Sequence, residues 1–206
     1  MDNIINELQK KEGGDKFKEK MLETIESYKK LSDEDKNCLH VYYGYGKGKT
    51  TSTIGLIIRA LGSGKKVVLI QFDKGFDGEN EHYNERVILR KLKSDGYDIE
   101  LYPTGCERMN SDGTFRFKNM EEDFIEARRG LEIAREKIEK GDMNILIIDE
   151  VIAAATYNLI KKEDVESLIE LYKKNKRFEL IMTGHKIWEY IEENAEIGRA
   201  SCRERV

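Results

Sequence analysis

The chain has 206 residues, enough for one α/β domain with a core, and its 36 lysines and arginines nearly balance 40 aspartates and glutamates at a formal charge of −4. No apolar run is long enough to span a bilayer, the polar opening segment is not a secretory leader, and no basic excess calls for nucleic acid. A soluble cytoplasmic protein is expected, with neither membrane nor nucleic acid as partner, and the odd set Cys38, Cys106 and Cys202, which lacks metal-ligand spacing, points to thiols rather than disulfides.

Residues 1–37 read as an N-terminal helical segment. Phe17, Met21, Ile25, Tyr28 and Leu31 fall at helical spacing and leave lysines and glutamates on the other face. From Cys38 the pattern changes to short apolar runs separated by helical stretches, with strands expected at 38–43, 67–72, 97–102, 145–149 and 180–183. Such alternation predicts an α/β fold, a mostly parallel sheet with helices on both faces, over 38–195. Between the third and fourth strands, Met120, Phe124, Ala127, Leu131, Ala134 and Ile138 follow the four-three spacing of a helix lying on the sheet. Residues 105–118, polar and without periodicity, follow the only proline, Pro103, and read as a long functional loop.

The first strand breaks into Gly44-Tyr45-Gly46-Lys47-Gly48-Lys49-Thr50-Thr51 before a helical pattern starts. Glycines let successive backbone N–H groups turn toward one point, the helix presents its positive end there, Lys49 adds a mobile charge, and the Thr50 hydroxyl can reach magnesium. The expected ligand is a nucleoside triphosphate. A strict phosphate loop places glycine five residues before Gly48, where Tyr43 stands, so this loop is a variant. The fourth strand ends in Asp149-Glu150, and paired carboxylates at that edge can hold magnesium directly or through water. Thr50, Asp149 and Glu150 are therefore the candidate metal ligands. Gln71-Phe72-Asp73-Lys74-Gly75 closes the second strand and brings Lys74 to the same edge, where it contacts a substrate or lies in a solvated turn. Arg59, on the helix after the loop, reads as a surface or packing residue unless it turns back toward the triphosphate. His40, His82 and His185 have no partner at metal spacing and read as structural. The end of the chain, residues 196–206, resembles the translation of a sequencing-library adapter and is read as a non-native tail, which would leave the domain without a final strand.

Taken together, four blocks resemble the ATP-binding corrinoid adenosyltransferases: the Gly44 to Thr51 loop, Arg59-Ala60-Leu61-Gly62-Ser63-Gly64 continuing to Gln71-Phe72-Asp73-Lys74-Gly75, Ile147-Ile148-Asp149-Glu150, and Met182-Thr183-Gly184. The resemblance spans Val41 to about Ala195. It implies a P-loop NTPase-like, RecA-like fold and a reaction in which a reduced, cobalt(I) corrinoid attacks the 5′ carbon of ATP and releases triphosphate. It implies Lys49, Thr50 and Glu150 as the catalytic set. ATP would lie among Gly44, Tyr45, Gly46, Lys47, Gly48, Lys49, Thr50, Thr51, Arg59 and Lys74, and magnesium, or manganese in its place, on Thr50, Asp149 and Glu150. A homodimer whose N-terminal helix helps cover the corrinoid, and an electron-donating flavoprotein, belong to the same implication. Family members often carry aromatic residues at the positions of Cys106 and Arg108, which help to displace the lower cobalt ligand; the resemblance then implies either that Phe115 or Phe117 substitutes or that the substrate is a corrinoid lacking a bound lower base. Tyr45 stands in place of a frequent asparagine and His185 in place of a common arginine. From the residues alone, a RecA-like ATP hydrolase or phosphotransferase is the rival, with Glu150 orienting water, and a nucleotide or adenosylcobalamin carrier without turnover is a third reading.

Overall fold

The computed structural model describes residues 13–75, 81–110 and 112–200, and they fall into two units, Met1–Lys36 and Asn37–Val206. The first contains α1 (Gly13–Lys30) and α2 (Asp33–Lys36). One long and one short helix offer no second layer, and Phe17, Met21, Ile25, Tyr28 and Leu31 of the apolar face are each at least 41% exposed.

The second unit is built on six strands, β1 (Leu39–Tyr43), β2 (Val67–Gln71), β3 (Ile99–Pro103), β4 (Ile145–Asp149), β5 (Glu179–Thr183) and β6 (Ile197–Ala200), in the order β3-β2-β4-β5-β1-β6. All neighbouring pairs are parallel. The central strands are β-branched and leucine-rich because both their faces are covered, so every residue of β2 and β4 is buried. Side chains still alternate between two cores. Val68, Ile70, Leu146 and Ile148 pack with Ala127, Leu131, Ala134 and Ile138 of α5 (Glu121–Lys140) and with Leu168, Ile169 and Tyr172 of α7 (Lys162–Lys174). Val67, Leu69, Ile145 and Ile147 pack with Ile57, Ala60 and Leu61 of α3 (Lys49–Gly62) and Leu89 of α4 (Glu85–Ser94). Two short helices, α6 (Val151–Thr156) and α8 (Glu189–Asn194), complete the unit. Among the described residues no helix is long and apolar enough to cross a membrane, and Cys38 and Cys106 form no disulfide.

Three expectations are corrected. The third strand starts at Ile99 rather than at 97, because Tyr97 N–H caps α4 at the Leu92 carbonyl and Gly96 turns at φ 92°. Met120 and Phe124 are not on the sheet: Met120 is the residue before α5 and Phe124 lies in its first turn, both exposed, and only the later apolar positions reach the core. A final strand is present, formed by Ile197–Ala200 of the segment read as non-native. Without it β1 would leave a row of unpaired backbone groups, and ladder pairing uses the backbone whatever the side chain. Glu196 clamps the entry, with its N–H on the Leu39 carbonyl and its carboxylate accepting from Leu39 N–H at 2.6 Å. Residues 1–12 and 201–206, with Cys202, lie outside the described residues.

Candidate functional site

In a parallel sheet the C-terminal strand ends gather on one edge, and the loops after β1, β2, β4 and β5 meet there. Between β1 and α3 the backbone turns at Gly44 (φ 115°) and Gly48 (φ 109°), conformations that side chains with a Cβ rarely adopt. Lys49 opens α3 and folds back over the loop, donating from Nζ to the carbonyls of Gly44 (2.7 Å) and Gly46 (3.1 Å). Gly44 N–H in turn donates to the His185 carbonyl (2.9 Å) and Gly184 N–H to the Tyr42 carbonyl (3.1 Å), so the loop is tied to the end of β5. The end of β5 also passes close to α6, and there glycine is required, since a Cβ on Gly184 would lie 2.5 Å from Ala153 N.

Asp149, the last residue of β4, is buried and accepts three donors: Lys74 Nζ at 2.6 Å, Thr183 Oγ1 at 2.8 Å and the Thr50 hydroxyl at 3.2 Å. The Thr183 hydroxyl also accepts from Glu150 N–H at 2.8 Å, which turns the chain out of the strand. Glu150 takes a left-handed conformation (φ 62°), a strain on the order of 1–3 kcal/mol that this pairing holds in place. Burial, and then the charge of Asp149, push the Glu150 carboxyl above the ordinary glutamate range. Thr50, Asp149 and Glu150 together present only oxygen donors, the set that suits a hard divalent cation. Lys74 completes the cluster, its ammonium 2.9 Å from Thr50 Oγ1.

The structure thus gathers Lys49, Thr50, Lys74, Asp149 and Glu150 at one place around the Gly44, Gly46 and Gly48 turns. Lys47 and Thr51 are on the exposed side. Arg59 is not brought there: it occupies the last turn of α3, exposed, and a rise of 1.5 Å per residue puts it roughly 15 Å along the axis from Lys49. Tyr45, 74% exposed, stacks on His185 with ring centroids 5.5 Å apart. His185 was read as structural and instead sits at the mouth of the loop, its Nδ1 paired with the Tyr157 hydroxyl at 2.9 Å. Burial, and then the nearby Lys49, lower its pKa from the usual 6.5. Tyr157 and Arg86 carry no signal as site residues in the sequence, and Thr183 enters there only as part of the Met182-Thr183-Gly184 block. Arg86 is wholly buried beneath the β2 loop, donating to the carbonyls of Lys74 (2.7 Å) and Gly75 (3.0 Å) and pairing with Glu81 at 2.6 Å.

Beside the cluster opens a cavity of about 430 Å³ whose lining includes Lys74, Glu150, Phe115, Phe117, Tyr157 and His185. The 105–118 segment supplies one wall, an aromatic pair with Phe115 and Phe117 centroids 5.0 Å apart. It is pinned from below by two arginines: Arg108 donates to Asp73 (2.6 Å) and Asn119 (3.1 Å), and Arg116 makes a forked pair with Asp123 (2.5 and 2.8 Å). The Arg116 guanidinium holds the Asp123 carboxyl at about 2, well below the carboxylate range. A larger cavity, about 580 Å³, between α5 and the start of α7 contains none of the clustered residues.

A family model described as ATP:corrinoid adenosyltransferase BtuR/CobO/CobP matches residues 35–200. An uncharacterized protein of Nostoc sp. is 30% identical over 155 residues, which cover 71% of this chain and 38% of that protein. The corrinoid adenosyltransferase of Escherichia coli K12 is 25% identical over 147 residues, 71% of this chain and 68% of the relative. That of Pseudomonas aeruginosa is 26% identical over 132 residues, 64% and 59% respectively. The chain therefore spans between about two fifths and two thirds of the length of these relatives.

Proposed function

Since this chain belongs to the ATP:corrinoid adenosyltransferase family, we propose that it transfers the 5′-deoxyadenosyl group of ATP to the cobalt(I) of a corrinoid. The observation that carries this reading is the shared wall: Lys74 and Glu150 belong both to the polar cluster behind the glycine loop and to the 430 Å³ aromatic-sided cavity. A triphosphate in the loop thereby has its nucleoside within reach of a second, bulky substrate.

The cobalt(I) substrate brings its own electron pair. It forms the cobalt–carbon bond as the 5′ carbon–oxygen bond breaks, and the pair from that bond leaves on triphosphate. No side-chain base or nucleophile is required, so the protein's work is positioning and charge neutralisation. The N–H groups of the loop orient the triphosphate, and Lys49, released from the Gly44 and Gly46 carbonyls, offers its ammonium to the leaving oxygens. Thr50, Asp149 and Glu150 would hold magnesium, or manganese in its place, which neutralises triphosphate charge when bound. Phe115, Phe117 and Tyr157 offer apolar faces to the macrocycle, in place of the aromatic residues that Cys106 and Arg108 replace.

Several further assignments rest on the family resemblance. The chain forms a homodimer in which α1 helps to cover the corrinoid, a flavoprotein supplies the electron that reduces cobalt, and the setting is cytoplasmic. We also keep 1–37 as a helical segment, 38–195 as the transferase domain and 196–206 as a non-native tail; resequencing the natural gene tests the last of these. Family membership disfavours the ATP hydrolase reading. Anaerobic incubation with ATP, magnesium and cob(I)alamin decides it: the proposal requires triphosphate that appears only with reduced corrinoid, and corrinoid-independent orthophosphate would refute it.

A further inference from the structure

The Lys74 ammonium lies where a divalent cation on the same oxygens would lie. It is 2.9 Å from Thr50 Oγ1 and 2.6 Å from Asp149 Oδ2, in a side chain only 10% exposed. A cation bound to those two atoms, at the roughly 2.1 Å that magnesium prefers, would share both ligands with the ammonium and repel it at close range. The backbone on either side of the side chain is fixed. Arg86 grips the Lys74 and Gly75 carbonyls, Lys74 N–H is bonded to the Thr104 carbonyl at 2.9 Å, and Gly75 lies so close to Cys106 that a Cβ there would meet its carbonyl carbon at 2.3 Å. The butyl-ammonium arm is what can move. The cavity side offers it a second place, the Tyr83 ring, whose centroid is already 5.4 Å from Nζ.

We infer that Lys74 is a tethered cation that keeps the Thr50–Asp149 site closed to divalent ions until a metal–nucleotide complex displaces it into the cavity. The exchange sets an order of events. Before nucleotide arrives, the ammonium neutralises Asp149 and leaves no vacancy for a bare metal ion. The incoming complex brings its own cation for Asp149 and Thr50, and the displaced ammonium then faces the bound triphosphate and the second substrate. Lys74 is in this sense a positioning residue that couples filling of the phosphate site to the charge of the neighbouring cavity. The inference rests on the nucleotide-binding part of the proposed function and is independent of what the cavity holds.

The test is a titration of the full chain with manganese ion alone, read by the electron paramagnetic resonance signal of free metal, with no corrinoid present. Lys74→Met should bind one manganese ion per chain at least about tenfold more tightly than the unsubstituted chain, because a competing positive charge has gone. Addition of ATP should raise the unsubstituted chain to the level of the variant, and Asp149→Asn added to Lys74→Met should abolish the gain. Lys74→Gln serves as second variant if circular dichroism shows Lys74→Met unfolded. Equal manganese affinity in the unsubstituted chain and a folded Lys74 variant, without nucleotide, would overturn the inference. Because cobalt is absent, a failure to form a cobalt–carbon bond in the activity assay would refute the transfer reading and leave this result standing.

Discussion

The glycine loop and the cavity beside it share a wall but are built in opposite ways. In the loop Lys49 and Asp149 already have internal partners: Lys49 lies on two carbonyls, and Asp149 on Lys74, Thr183 and Thr50. The cavity keeps exposed apolar surface in its wall, with Phe117 85% exposed and Phe115 49%. The polar site thus rests with its charges paired, so that on the proposed reading an incoming polyphosphate exchanges these bonds, whereas the aromatic site gains by being covered. Substitutions in the two regions should fail in different measurements, and substitutions in the wall between them should damage both.

The largest effect is expected beneath the wall, at the arginine that holds the Lys74 backbone. Arg86→Met removes a buried guanidinium, strands the carbonyls of Lys74 and Gly75 and leaves Glu81 with Arg90 as its remaining ion partner, so urea unfolding should show a loss of about 3–5 kcal/mol. Next comes Lys49→Ala, which should lower adenosyl transfer by about 10²–10³-fold, as loss of a donor to a developing anion does, with an unfolding midpoint close to that of the unsubstituted chain. If both variants lost only stability, the loop would be a structural turn and the contrast would fail.

Smaller effects sharpen the cavity side. Asp123 is ionised in the fold with a pKa of about 2, held by Arg116, against an ordinary 3.8. A carboxyl whose pKa is depressed on folding contributes stability that is whole above the unfolded value and is lost as pH falls through the folded one. Asp123→Asn should therefore cost about 2 kcal/mol at pH 7, and the difference from the unsubstituted chain should vanish as pH falls from about 4 to about 2. The smallest effect belongs to Phe117→Ser: stability within about 0.5 kcal/mol, and a KM for corrinoid several-fold higher with KM for ATP unchanged. A change in ATP affinity instead would mean that the aromatic rim serves the nucleotide.

How much of this was legible follows from where the residues lie along the chain. The loop is contiguous, and its glycines, Lys49 and Thr50 carry their chemistry in one stretch. Asp149 and Glu150 could be read because an apolar strand ends on them. Thr183 and His185 are marked in the sequence only through the Met182-Thr183-Gly184 resemblance, and their partners follow from β5 lying between β4 and β1, a neighbourhood that no local pattern encodes. Arg86 looked like one more charged residue of α4, since burial of a guanidinium depends on carbonyls from another segment. Arg59 reads from the residues as a surface position and is exposed, because α3 carries it away from Lys49; its place among the ATP contacts came from the resemblance alone. The final strand was missed for a different reason, since its pairing with β1 is written in the backbone and in Glu196 rather than in an apolar alternation.

The most direct test of the account is an electron-density map of the full chain crystallised with ATP and magnesium. The account predicts the triphosphate within the turn of Gly44, Gly46 and Gly48, in contact with Lys49, and the 5′ carbon facing the cavity beside Phe115 and Tyr157. An empty loop, or a γ-phosphate pointing into that cavity with the 5′ carbon turned away, would contradict it.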